Sequence, residues 1–336
     1  MRAAAFTELV GPDGVELIER EDPTPDEGEA VVDVRACSIN HHDLWILEGD
    51  SAMVSEDVLP FVSGLDVAGV VDETGPGADV ETGDRVVLCP NETCGTCRYC
   101  REGPENLCES FSLYHGGLAE RATVEAARLV PLPESVSFPQ AAALPTAYLT
   151  AWHMMRKAEV GAGDLVFVPG ATGGVGVACV QLCEVVGAKT VGTSTSGAKL
   201  DRLAELGCDH RVETADPDRM VEAVRSVGAV DAVLNHLAGE YVEVGLKLLR
   251  RGGTQVVCGR TAGRKSEFGA APFFLGHQEI VGSTMGTQPE LGTLVSLVAE
   301  GEFDPVVGGT YPLSGTDEAF REMAERGVFG KLIVEP

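Results

Sequence analysis

Hydrophobic and polar positions divide this chain into two regimes. Up to about residue 145, apolar residues alternate with polar ones or come in short runs: Val15-Glu16-Leu17-Ile18, Ala30-Val31-Val32-Asp33-Val34-Arg35-Ala36, Val67 to Val71 and Asp84-Arg85-Val86-Val87-Leu88. With Gly75-Pro76-Gly77, Pro131-Leu132-Pro133 and Pro139 as punctuation, this pattern predicts a β-rich, loop-rich region. From Gln140 a helix is expected to carry the chain through Thr146 and Trp152. A regular rhythm then sets in: strand 165–168, helix 174–186, strand 190–193, helix 198–206, an edge at 210–212, helix 217–226, strand 230–234, helix 240–250, and strands 254–258 and 280–284. Six strands alternating with helices predict an α/β fold with a doubly wound parallel sheet, whose ligand sits across the carboxyl ends of the strands. Helix 289–300, the strand-like Tyr311-Pro312-Leu313, helix 315–326 and a last strand from Lys331 to Val334 are expected to return to the first domain. The predicted division is therefore 1–145, 146–287 and 288–336.

The second regime is organised around residues 165–187. The apolar run Leu165-Val166-Phe167-Val168 is closed by Pro169 and followed by Gly170-Ala171-Thr172-Gly173-Gly174-Val175-Gly176, then by an apolar helical segment to Val186. Such glycines permit a tight turn and let the backbone approach a pyrophosphate at a helix N-terminus, where free N–H groups and the helix dipole attract anions. Ala171 stands where the first glycine of G-x-G-x-x-G would be, so the motif by itself is equally an ordinary strand-to-helix turn. The strands and helices that follow favour the nucleotide-binding reading.

Composition sharpens this. With 52 acids against 25 bases the net charge is −27, and only six of the bases are Lys. That charge argues against nucleic acid and against an anionic membrane as partners. The acids are spread along the chain, so a halophilic cytoplasm, where salt screens the self-repulsion, is the expected setting. No apolar run reaches the ~18 residues of a membrane span, and the N-terminus lacks a signal-peptide core. Cys94, Cys97, Cys100 and Cys108 give C-x2-C-x2-C-x7-C in a polar lobe at about 89–110. Four thiolates at this spacing suit tetrahedral zinc, and a closed four-thiolate site is structural. The remaining six cysteines read as small buried apolar residues.

The cysteine lobe, the Ala171-to-Gly176 turn, Gly64-Leu65-Asp66-Val67-Ala68-Gly69-Val70-Val71 and Phe329-Gly330-Lys331 together resemble the medium-chain dehydrogenase/reductase superfamily over nearly the whole chain. The resemblance implies a GroES-like β-barrel catalytic domain, a Rossmann NAD(P)-binding domain and hydride transfer to or from a nicotinamide. In the superfamily's zinc alcohol dehydrogenase branch, a Cys begins the segment that here reads Asn40-His41-His42-Asp43-Leu44. A His stands where this chain has Leu65, and a Cys or carboxylate where it has Thr146. The Ser38-Ile39-Asn40 and Gly64-Leu65-Asp66 runs resemble the zinc-free quinone reductase branch instead.

The resemblance implies catalytic roles for Asn40 beside the nicotinamide and for His42 near the cofactor ribose. Asp66 is expected to orient a neighbour, and Trp45, Thr146 and Tyr148 to line the pocket; His41 and His115 are weaker candidates. Thr172, Gly173, Gly174 and Val175 would meet the pyrophosphate. Ser194, Ser196 and Lys199 would favour a 2′-phosphate, hence NADP(H) over NAD(H), because no acid follows the second strand. Asn235, Gly259, Arg260, Ser283, Met285 and Lys331 would complete the cofactor site. The expectation is a cytoplasmic NADPH-dependent reductase of quinones or α,β-unsaturated carbonyls, with one structural zinc per chain, no catalytic zinc and a homodimeric or homotetrameric assembly. Two alternatives stand beside it. One is a zinc alcohol dehydrogenase with ligands displaced to Cys37, His41, His42, Asp66 or His115; the other is a non-catalytic NADPH-binding protein.

Overall fold

In the computed structural model, which describes residues 1–51 and 54–336, the chain divides into two units. One comprises Met1–Thr146 and Thr287–Pro336, the other Ala147–Gly286. The first unit is built on strand Glu29–Ser38, rich in β-branched and small residues and mostly buried. Along one side it pairs with Asp66–Thr74, from Ala30 opposite Thr74 to Ser38 opposite Asp66. On its other side, the first half pairs with Arg121–Glu125 and the end with Lys331–Glu335. Arg85–Leu88 with Leu129–Pro131, and Val307–Pro312, extend the two edges of this seven-stranded sheet. The Val307–Pro312 and Lys331–Glu335 pair is parallel, and the other pairs are antiparallel. The registers bring Ser38, Asp66 and the start of the last strand to one end of the sheet.

The core of this unit holds Phe6, Ile39, Leu47, Leu118, Phe320 and Leu332, each contributing roughly 1.5–3 kcal/mol by leaving water. Helix His41–Leu47 follows the long strand directly. It starts at Asn40, which forms a capping box with Asp43.

The helix expected from Gln140 is not continuous. Helix Phe138–Ala143 gives way to a π-helical turn, Leu144–Tyr148, before helix Leu149–Lys157 resumes. Pro145 has no N–H for a regular helical bond, which accounts for the widened turn. Thr146 lies within this turn and belongs to the first unit.

In the second unit six parallel strands are Leu165–Val168, Lys189–Ser194, His210–Glu213, Val230–Asn235, Leu249–Val257 and Glu279–Gly282. Across the sheet they lie in the order third, second, first, fourth, fifth, sixth. This is a Rossmann order, which reverses direction at the first strand. The sixth strand ends at Gly282, so Ser283 and Thr284 are loop residues. A further helix, Ala270–Gly276, precedes it and exposes Phe274 and Leu275. Among the described residues no helix is long and apolar enough to cross a membrane.

Candidate active site and cofactor turn

Asp66 is the hub of the polar cluster at the end of the first unit's sheet. It is fully buried. Its Oδ2 accepts from Ser38 Oγ at 2.6 Å and from Asn40 Nδ2 at 2.9 Å, and its Oδ1 accepts from Thr146 Oγ1 at 2.6 Å. The ammonium of Lys331, also buried, lies 3.5 Å from Oδ2. It donates to Ile39 O at 2.9 Å and, in a short bond, to Asn40 Oδ1. Burial raises the Asp66 pKa, opposed first by Lys331 and then by the hydroxyl and amide donors. Burial lowers the Lys331 pKa, opposed by Asp66 and Asp43. At this separation the attraction is about 5 kcal/mol for an effective dielectric of ~20, whereas desolvation costs several kcal/mol per ion. The pair therefore adds little net stability, although removing one partner would cost roughly 3–5 kcal/mol.

A second buried carboxylate, Asp43, lies beside the first cluster. Its Oδ2 accepts the backbone N–H of Asn40 at 2.8 Å, and its Oδ1 accepts from Ser63 Oγ at 2.5 Å and Gly64 N at 3.1 Å. Ser63 Oγ is 3.4 Å from His115 Nδ1. Because Ser63 gives its proton to a carboxylate, its oxygen can only accept from His115, which fixes the Nδ1–H tautomer. His115 Nε2 is then a buried acceptor without a hydrogen-bond partner. The His115 ring stacks on His42, with centroids 5.4 Å apart and an interplanar angle of 21°. Burial, reinforced by His42 and opposed by Asp43, pulls the His115 pKa down to about 4.

In the second unit the glycine turn is tied to the second strand. Ala171 N donates to Thr193 O at 2.9 Å, Gly170 N donates to Thr193 Oγ1 at 3.1 Å, and Thr172 Oγ1 lies 3.2 Å from Ser194 Oγ. Gly176 is a close approach: a Cβ there would lie 2.5 Å from Gly170 O. Gly173 caps helix Gly174–Val186 without a side-chain hydrogen bond, so the first-turn N–H groups, Gly174 and Val175 among them, remain available to an anion. The turn thus fits a nucleotide pyrophosphate.

The other expected cofactor residues fall differently. Ser196 Oγ accepts from Lys199 N and caps helix Gly197–Glu205, and Ser194 Oγ accepts from Ser196 N. Asn235 is fully buried. Its Oδ1 accepts from the N–H groups of Leu237 and Ala238, and its Nδ2 donates to Gln255 Oε1. Its side chain therefore shapes its own loop, at the carboxyl end of the fourth strand of the parallel sheet. Gly259 has φ +74°, and a Cβ there would press on His236 O at 2.7 Å. Arg260 follows it, half-buried. Ser283 N donates to Val257 O, and Met285 is buried with its sulfur near the Thr150 hydroxyl. The ammonium of Lys331 is held by Asp66, Asn40 and the Ile39 carbonyl.

The four cysteines of the lobe lie with their sulfurs within 4.8 Å of one another. A tetrahedron with Zn–S bonds of about 2.3 Å has edges of about 3.8 Å. The Cys97–Cys100 and Cys94–Cys100 sulfur separations are 3.5 and 3.9 Å. The Thr96 backbone and hydroxyl and the Cys97 N–H pull the Cys94 pKa down to about 6, favouring the thiolate. The cluster could hold a zinc ion. The positions matching the catalytic-zinc ligands do not fit one. Leu65 is apolar, Thr146 donates to Asp66, Asn40 Oδ1 receives an ammonium proton, and a cation already sits there.

The structure therefore joins Asn40, Asp66 and Thr146 in one cluster and His42 with His115 in another. Trp45 stands half-buried on helix His41–Leu47. Sequence reasoning missed Asp43, Ser63 and the inward turn of Lys331. The signal for Asp43 was present, since an Asn three residues before an Asp is a capping-box pattern.

Family models match twice: the alcohol dehydrogenase GroES-like domain over residues 26–134 and the zinc-binding dehydrogenase domain over residues 174–300. The alcohol dehydrogenase of Geobacillus stearothermophilus is 30% identical, with 100% of this chain and 99% of the relative covered. The acryloyl-coenzyme A reductase of Sulfurisphaera tokodaii is 28% identical, with 96% and 97% covered. A crystal structure described as an NAD-dependent alcohol dehydrogenase superposes with a TM-score of 0.91 at 36% identity, covering 100% of both chains. A sheet in Rossmann order, a glycine turn shaped for a pyrophosphate and these likenesses over the full length lead to one conclusion: the chain belongs to the medium-chain dehydrogenase/reductase superfamily and is an oxidoreductase of it.

Proposed function

We propose that this oxidoreductase uses NADPH to reduce quinones or α,β-unsaturated carbonyl compounds without a catalytic metal. The observation that carries the reading is the Asp66 cluster. The residues at the presumed ligand positions either cannot bind a metal or are committed to Asp66, and Lys331 supplies the local positive charge. Bound NADPH would supply the hydride. Asn40 donates a hydrogen bond to the substrate oxygen as negative charge builds on it. A conjugated acceptor suits such a donor, because its charge ends on an oxygen; a simple alcohol would need a Lewis acid to lower its hydroxyl pKa. His42, stacked on a His115 with a free acceptor nitrogen, passes the compensating proton to the reduced product. Similarity to an acryloyl-coenzyme A reductase supports the acceptor class.

Similarity to alcohol dehydrogenases favours a second reading, alcohol oxidation with a displaced zinc. Metal content per chain, measured with a rate screen of enones, quinones and alcohols, separates the two. One zinc and enone or quinone reduction are expected. Two metal ions, with alcohol oxidation lost when one is stripped, would overturn the first reading.

NADPH preference is supported by Ser194, Thr195 and Ser196 after the second strand, with Lys199 in the next helical turn. One structural zinc is assigned to Cys94, Cys97, Cys100 and Cys108. A homodimer is supported by the edge strand Glu279–Gly282 and by the 61% and 59% exposure of Phe274 and Leu275 on the preceding helix. Light scattering that shows only monomer in molar KCl would reject it. The charge of −27 further implies that the melting temperature rises between low and molar KCl; equal melting temperatures would reject a halophilic setting.

A further inference from the structure

The amide of Asn40 is clamped between opposite charges. An ammonium can only donate, so the atom facing Lys331 Nζ is the carbonyl oxygen; a carboxylate can only accept, so the atom 2.9 Å from Asp66 Oδ2 is the amide nitrogen. Flipping the amide would set its NH2 against an ammonium and its oxygen against a carboxylate. On its side chain, Asn40 is thus left with one uncommitted N–H. The strand register supplies the clamp. Ser38 lies opposite both Asp66 and Ile333, which places Lys331 two residues before the pairing and within reach of Asn40.

Resting on the enone- or quinone-reductase reading, we infer that Lys331 is a positioning residue that locks Asn40 as a hydrogen-bond donor to the reacting oxygen. It acts through the amide and not by touching substrate. The lock depends on the ammonium being charged. The groups facing it are Asp66 at the start of strand Asp66–Thr74, Cys37 on the long strand, and Asp43 and His41 on the short helix, with the Ile39 carbonyl. Burial lowers the Lys331 pKa, so the ammonium loses its proton below the pH at which a free lysine does. The amide oxygen then loses its charged partner and keeps only the Asp43 backbone N–H, with Asp66 on the nitrogen, so the lock loosens and turnover falls on the alkaline side. Arginine at this position does not titrate in that range.

The experiment compares wild type, Lys331→Met, Lys331→Arg and the double variant Lys331→Met/Asp66→Asn. NADPH affinity is followed by fluorescence and single-turnover reduction of a simple enone across pH. Loss of the donor geometry should lower the single-turnover rate about 100-fold in Lys331→Met, with little change in NADPH affinity. Lys331→Arg should restore most of the rate and move the alkaline limb upward. The double variant, which removes the buried carboxylate nearest the deleted ammonium and so guards against simple misfolding, should remain as slow as Lys331→Met. Recovery in the double variant would show that the defect was an uncompensated carboxylate and would overturn the inference. So would an unmoved alkaline limb in Lys331→Arg.

A readout independent of turnover is the side-chain NH2 signal of Asn40 in protein labelled with 15N-asparagine, assigned by its absence in Asn40→Ala. It should exchange slowly in wild type and in Lys331→Arg, and rapidly in Lys331→Met and the double variant. Equal exchange in all four would overturn the lock. If wild type reduces no enone or quinone, the functional reading falls, whereas the exchange result still decides whether Lys331 holds the amide.

Discussion

Thr146 and Asp66 meet across 80 residues of sequence through a 2.6 Å hydrogen bond from hydroxyl to carboxylate. The π-helical turn at Pro145 aims the hydroxyl, and the carboxylate is fully buried. Replacing Thr146 by Val keeps the shape and deletes the donor. The expected loss is about 1.5–3 kcal/mol of unfolding free energy, the usual worth of a hydrogen bond to a charged group. Thr146→Ser should retain most of it. Urea unfolding of the two variants checks this, and an unchanged Thr146→Val midpoint would contradict it.

Under the proposed preference for NADPH, Glu213 is predicted to act as a restraint on it. It ends the third strand opposite Ser194, and a Cβ on Gly197 would lie 2.9 Å from its Oε2. A carboxylate there would repel the 2′-phosphate that the proposed site holds with Ser194, Ser196 and Lys199. Glu213→Gln should raise kcat/KM for NADPH relative to NADH about tenfold, a change of ~1.4 kcal/mol. Steady-state kinetics with both cofactors measures it, and an unchanged ratio would remove Glu213 from cofactor discrimination.

With the zinc proposed for the lobe, Cys97→Ser should release the metal and lower the melting temperature, because a closed thiolate site couples metal binding to folding. The metal content should fall from one zinc per chain towards none. Retention of a full zinc equivalent in the variant would show that the metal sits elsewhere.

His115 makes stability sensitive to acid. In the folded protein its pKa is depressed from 6.5 to about 4, so the unfolded chain takes up the proton first. Its contribution is fully present above about pH 6.5 and is lost as pH falls through that window. The loss is at most roughly 3–4 kcal/mol for a shift of this size. His115→Gln should flatten the decline of unfolding free energy between pH 6.5 and 4; an equally steep decline would assign the acid sensitivity to other groups.

Much of the fold was legible because its strands are short apolar runs bounded by glycine and proline, and the glycine turn fixes where the parallel sheet begins. Helix His41–Leu47 escaped notice because seven residues show too little periodicity, and it opens on two histidines and an aspartate. Helix Ala270–Gly276 is as short and leaves Phe274 and Leu275 exposed, so no amphipathic stripe marks it. Asn40 and Asp66 could be singled out from local motifs. Their link to Lys331 could not, since it depends on strand register across 291 residues. Asn235 shows the converse: a polar residue at the end of a strand suggests a ligand, and its bonds to the amides of its own turn are not readable from sequence.

The last strand has a consequence for biosynthesis. Lys331–Glu335 pairs directly with Glu29–Ser38, but between them in the chain lies the whole of the second unit. As the chain leaves the ribosome, Ala147–Gly286 has all of its strands before the first unit does. The earlier segment must wait with the buried carboxylates of Asp43 and Asp66 lacking their cation. Completion of the Asp66 cluster is therefore the closing event of synthesis, and a chain stalled before residue 331 would carry a complete nucleotide-type sheet and an unfinished polar cluster.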